Sequence, residues 1–205
     1  MKKLAISITA AVLFTFFISA YSEKIENNLA DNVIRLHITA QSDSEYDQAV
    51  KLKVRDRIIK EMSPVLSGAE NIDESKKIIL ENMDRIKVYA EDELRQNGAE
   101  YGARCFLGEY DFPVKTYQNI IFPPGKYTAL RIVLGDGEGQ NWWCVMYPPL
   151  CFVDGSAVIS DESRDILKEN LDSDTYDIIT QSGECPDIKV KFKIVEIFQN
   201  IGKEK

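Results

Sequence analysis

Histidine is almost missing: His37 is the only one among 205 residues. That excludes, within one copy of the chain, HExxH metalloproteases, Cys2His2 fingers and any metal site built on two or more imidazoles. The four cysteines (Cys105, Cys144, Cys151, Cys185) form no CxxC, so a thioredoxin-like redox centre or a zinc ribbon has no support. No serine stands in a GxSxG setting. Gly135-Asp-Gly-Glu-Gly139 lacks the GKS/T ending of a phosphate loop, and its acids would repel phosphate. Basic charge is scarce as well: 25 Lys+Arg face 33 Asp+Glu, a formal charge of −8, the wrong sign for a broad nucleic-acid footprint. What is present, 44% hydrophobic and 28% charged residues, is the composition of a folded globular chain.

The N-terminus carries an address. Lys2 and Lys3 precede Leu4–Ala20, a run of 17 residues without a charge, and Ile18-Ser19-Ala20 resembles a signal-peptidase site. Residues 1–20 therefore read as a signal peptide or, if uncut, a membrane anchor; a full span needs about 20 apolar residues. Either way the remainder crosses a membrane. Losing residues 1–20 removes two lysines and no acid, which takes the formal charge from −8 to −10. Residues 21–31 are polar and read as a short tether, with residues 32–200 as a single domain.

Val33–Ala40 alternates and is rich in branched residues, the pattern of a strand. Ser42-Asp-Ser-Glu45 and Ser44-Glu-Tyr-Asp47 both match a capping box, and Tyr46, Val50, Val54 and Ile58 then predict an amphipathic helix ending before Pro64. A second helix is predicted from Asn71 or Asp73 through Ile79, Met83, Ile86, Ala90 and Leu94 to a stop at Gly98. Beyond it Tyr101–Phe112, Asn119–Phe122, Tyr127–Leu134, Trp142–Tyr147 and Ile188–Phe198 read as extended, with Gly135–Gly139 as a hairpin turn and a short helix near Ser163–Asn170. Helices first and strands later predict an α+β domain: two amphipathic helices on a largely antiparallel sheet.

Candidate chemistry is thin. Cys144 and Cys151 enclose six residues and are a candidate disulfide, the alternative being small buried hydrophobes. His37, mid-strand, reads as structural rather than as a base. Val153-Asp154-Gly155-Ser156 lacks the hydroxyl and the second copy of an aspartic-protease loop, and Asp172–Asp177 lacks the glycine and glutamate of a calcium loop, leaving a solvated acidic loop. The most informative segment is Asn141–Phe152, with Trp142, Trp143 and Tyr147 beside Pro148-Pro149. Adjacent strand residues point to opposite faces, so one tryptophan is expected in the core and the other nearer the surface. Exposed aromatics on a stiff loop anchor interfaces; a satellite hydrophobic cluster is the alternative. Asn141, Trp142, Trp143, Pro148 and Pro149 are the candidate partner-binding residues.

Two blocks carry a family resemblance. Ile34–Ser44, with Asp47-Gln48, Lys51 and Val54-Arg-Asp56, resembles the first signature of stage II sporulation protein R; Phe122–Arg131, Gly135-x-Gly-x-Gly139, Asn141-Trp-Trp-Cys144 and Pro148-Pro-Leu-Cys151 resemble the second. The resemblance covers roughly residues 31–155. It implies a protein made in the forespore and exported into the space between the two membranes that separate it from the mother cell. There the family triggers a membrane-embedded aspartic protease of the mother cell to process the sigma-E precursor. It implies a signal rather than an enzyme, with no cofactor, no nucleic acid and no small-molecule substrate, and it brings no contact residues. Two rival readings are an exported hydrolase using His37 with Asp43 or Asp47, and a cell-envelope binding module.

Overall fold

The computed structural model describes residues 2–117, 119–150 and 161–180. Its frame is a four-stranded sheet in the order β2-β5-β1-β6, from β1 (Ile34–Thr39), β2 (Ala103–Phe112), β5 (Gly125–Leu134) and β6 (Asn141–Tyr147). The β1–β6 and β2–β5 pairings are antiparallel, and the central β1–β5 pairing is parallel. β3 (Lys115–Tyr117) and β4 (Ile120–Phe122) form a separate two-stranded sheet. The strand expected over Ile188–Phe198 lies outside the described residues.

All six residues of β1 are buried, because both faces of the sheet are covered. On one face Ile34, Leu36 and Ile38 meet α2 (Glu45–Leu66), α3 (Ile72–Glu81) and α4 (Met83–Gln96) through Val54, Ile58, Ile79, Ile86 and Leu94. Ser44 caps α2 by accepting from the Asp47 amide at 3.1 Å, and Asn71 caps α3 by accepting from Glu74 at 3.0 Å, so orphan amides are satisfied where the capping residues predict. Gly98, at φ 80°, closes α4 as the left-handed stop.

Two helix boundaries differ from the prediction. α2 runs through Pro64 to Leu66, because burial of Met62 and Leu66 outweighs the one amide that proline lacks. The single helix predicted from Asn71 to Gly98 is two, α3 and α4, broken at Asn82. There the Asn82 side chain donates to the Ile78 carbonyl at 2.8 Å and competes with continuation of the helix.

On the opposite face Phe112, Tyr127, Ala129 and Val145 pack with Ile120 and Phe122 of the small sheet. Leu167 of α5 (Asp161–Asn170) and Ile179 of α6 (Ser173–Thr180) complete this second core. Asp172 accepts from the Thr175 amide at 2.9 Å, so the segment predicted as a solvated acidic loop is instead a helix capped by its own acid.

The N-terminal helix α1 (Lys2–Ala30) is 29 residues long and includes the expected tether, which is therefore helical. Its Ile6–Ala30 portion is by length and composition long and apolar enough to cross a membrane. Ile6 to Ile18 project large exposed apolar side chains, whereas Leu29 is buried in the second core and Ile25, one turn before it on the same face, is buried and lines a cavity with Ile121 and Ile179.

Candidate functional site

The two signature blocks meet at one end of the sheet. Gln41–Ser44 carries the chain from β1 into α2, and residues 135–140 carry it from β5 to β6. Because β1 lies between those two strands, the glycine segment is a crossover and not the predicted hairpin turn. The positive φ expected of its glycines is present at Gly135 (57°) and Gly137 (73°). Gly139 serves close approach instead: a Cβ there would stand 2.2 Å from the Ser42 carbonyl oxygen.

Main-chain bonds stitch the two loops, Gly139 N–H to Ala40 O at 3.0 Å and Glu138 N–H to Gln41 O at 3.2 Å. Side chains add more. Gln41 Oε1 accepts from the Asp136 amide at 2.6 Å, Asp43 Oδ1 accepts from the Gln140 amide at 2.7 Å, and Lys51 Nζ donates to Gln140 O at 2.9 Å. Asp47 accepts from Ser42 Oγ at 2.5 Å and Tyr101 Oη at 2.6 Å. Burial opposes its charged form, yet the bonds from Ser42, Tyr101 and Ser44 outweigh that and hold its carboxyl below the ordinary value. Every signature polar group named here has a structural partner.

Strand register places a second constellation on the face away from α2–α4. Phe106, Arg131, His37 and Trp143 stand opposite one another in a single row across β2, β5, β1 and β6, and Arg104, Val133, Thr39 and Asn141 form the next row. His37 stacks on Trp143 with ring centroids 3.8 Å apart and planes at 11°. His37 Nε2 lies 2.7 Å from Asn141 Oδ1, which also accepts from Thr39 Oγ1 at 3.0 Å. Since Oδ1 only accepts, the imidazole proton is assigned to Nε2, and the buried Nδ1 has no partner. Burial, with Arg131 adding to it, lowers the His37 pKa against the opposing bond to Asn141.

The chemistry of the rival hydrolase is not assembled by these contacts. His37 bonds to Asn141 and Thr39, whereas Asp47 bonds to Ser42 and Tyr101 and Asp43 to the Gln140 amide. Among the described residues no cluster of three or more metal-ligating side chains occurs.

The candidate partner residues are more enclosed than the sequence suggests. The two tryptophans do point to opposite faces, but both are half-buried: Trp142 lies under the Arg55 guanidinium, 4.3 Å from its ring centroid, and Trp143 covers His37. Pro148 is buried and Pro149 half-buried, with the Pro149 carbonyl accepting from Ser163 Oγ at 2.6 Å. Asn141 alone of the five is exposed. Cys144 is disulfide-bonded and Cys105 is free, while Cys151 and Cys185 lie outside the described residues.

Sequence reasoning missed three residues. Arg35 is fully buried, ringed by Phe112, Tyr117, Phe122 and Tyr127 at 4.6–5.9 Å, and it donates to the Cys144 carbonyl at 3.1 Å. Arg131 and Phe106 also escaped notice. Arg35 and Arg131 alternate with Ile34, Leu36, Leu130 and Ile132, so the sequence reads them as the solvent face of half-solvated strands, whereas Arg35 is buried because the second core covers that face.

The profile of the stage II sporulation protein R family matches residues 30–157. A relative, "Stage II sporulation protein R" of Bacillus subtilis (strain 168), is 35% identical over 167 residues, covering 78% of this chain and 75% of its own length. No solved structure matches the chain. Both signature blocks fall inside the matched span, as does every residue of the two sheet rows, and the chain belongs to the stage II sporulation protein R family.

Proposed function

We propose that this protein is an exported intercellular signal of sporulation. It is made in the forespore and delivered to the space between the forespore and mother-cell membranes. There it binds and activates a membrane-embedded aspartic protease of the mother cell, which then processes the sigma-E precursor. It acts by binding and turns over no substrate.

The observation that carries this reading is family membership over a span that begins where the apolar N-terminal helix ends. The helix supplies an export signal or an anchor. The interlocked loops and the His37–Trp143 stack support a rigid display surface, since their polar groups are consumed in holding the fold. Asn141 and Trp143 lie on that surface, and Trp142 packs on the opposite face of the sheet under Arg55.

A strain lacking the protein should leave the sigma-E precursor uncleaved. The full chain should restore cleavage, and the chain without residues 1–20 should not. Normal processing in the deletion strain would sink the proposal.

A further inference from the structure

We infer that the row Phe106–Arg131–His37–Trp143, with Arg104 and Asn141 beside it, is the partner-docking surface, and that it takes an extended peptide segment carrying a carboxylate beside an apolar side chain. This deepens the signalling reading and rests on it. The warrant is charge against context. The chain carries 33 acidic residues, yet neither Arg104 nor Arg131 has an ion-pair partner among the described residues. Arg104 is exposed, and its only hydrogen bond among the described residues is Nη2 to the Gly135 carbonyl at 3.1 Å. Arg131 is half-buried, its guanidinium lies 5.4 Å from the Tyr110 ring centroid, and its Nε is buried with no acceptor.

An arginine held over an aromatic ring is fixed in orientation and keeps its donor fork available, the arrangement that recognises a planar carboxylate. Phe106, 45% exposed, and half-buried Trp143 stand at the two ends of the row that holds Arg131, with Arg104 in the next row, so an apolar side chain next to the carboxylate has a ring on either side. His37, between Arg131 and Trp143 in the row, stacks on Trp143 and fixes that ring. The crossover loop that borders the second row carries Asp136 and Glu138, of which Asp136 is held by Gln41 Nε2 at 3.1 Å. Approach of an acidic segment is therefore directed to the Phe106 side of the surface.

The test uses the full chain in sporulating cells, with sigma-E precursor cleavage and the accumulated level of each variant read together. Arg104→Glu with Arg131→Gln should lower cleavage at least tenfold at normal accumulation, the scale of one lost charge-assisted bond. Lys60→Gln, an exposed cation on α2, should have no effect. Arg104 is exposed, so Arg104→Glu alone decides the matter if the double variant does not accumulate. Normal cleavage with Arg104→Glu, in a background where deletion abolishes cleavage, overturns the docking surface and leaves the signalling reading standing. Normal cleavage in the deletion strain overturns both.

Discussion

Gly139→Ala tests the interlock of the two signature blocks. The added methyl would stand 2.2 Å from the oxygen and 2.5 Å from the carbon of the Ser42 carbonyl, and 3.0 Å from Ala40 Cβ. An ordinary carbon–oxygen contact is about 3.5 Å, so the backbones must part by roughly 1 Å. That main chain carries the bonds from Gly139 to Ala40 at 3.0 Å and from Glu138 to Gln41 at 3.2 Å, and the neighbouring Gln140 amide donates to Asp43 at 2.7 Å. Losing two of the three costs about 1 kcal/mol each, and forced overpacking adds about 1–3 kcal/mol. The expected loss is thus about 3–5 kcal/mol, a large share of a total near 5–15 kcal/mol. Gly68→Ala is the matched control. Its Cβ meets nothing within 4 Å, so the change should be neutral or stabilise by up to about 1 kcal/mol. Urea unfolding of the full chain in detergent, followed by tryptophan fluorescence, reads both. A Gly139→Ala variant within about 0.5 kcal/mol of the parent would refute the close-approach reasoning.

Arg35→Ala empties a side chain ringed by four aromatics and should cost about 3–5 kcal/mol by the same assay, whereas Arg35→Met keeps the volume and should cost about 1–2 kcal/mol for the lost Arg35–Cys144 bond; equal losses would contradict the aromatic box. His37 has its pKa lowered by burial and by Arg131, so the unfolded imidazole, titrating near pH 6.5, takes up its proton first. The stability it contributes is full above about pH 6.5 and is lost as the pH falls below that value. His37→Gln should flatten this part of the profile, and an unchanged slope from about pH 7 to 5.5 would count against it. Leu29→Ala should loosen the docked end of α1 by about 2–4 kcal/mol and speed tryptic cleavage at exposed Lys24 more than tenfold; unchanged cleavage would mean that residues 21–30 are not held by the second core.

Much of the fold was legible because local chemistry and burial agree. Ser44 and Asn71 cap helices where their hydroxyl and amide predict, and the alternation of Val33–Ala40 gives β1. Failures arise where tertiary burial overrides a local signal. Pro64 is tolerated because Met62 and Leu66 are buried, and Asp172 reads as solvated although it caps a helix whose Thr175 and Ile179 face the core. The central parallel pairing of β1 with β5 could not be read, since it joins residues about a hundred apart with no turn between them to betray it.

The candidate site was half legible. Opposite-facing tryptophans follow from strand geometry, but their partners Arg55 and His37 come from other elements and set how far each ring is covered. Arg131 and Phe106 join the site only through sheet register, which a single sequence does not specify.

The central claim is that the protein activates by binding. The direct measurement is titration of the full chain against the membrane-embedded protease in liposomes, with sigma-E precursor cleavage as readout. Activation should saturate at a fixed ratio of chain to protease. Activation of the whole protease pool by a small fraction of an equivalent would show a catalyst and contradict the account.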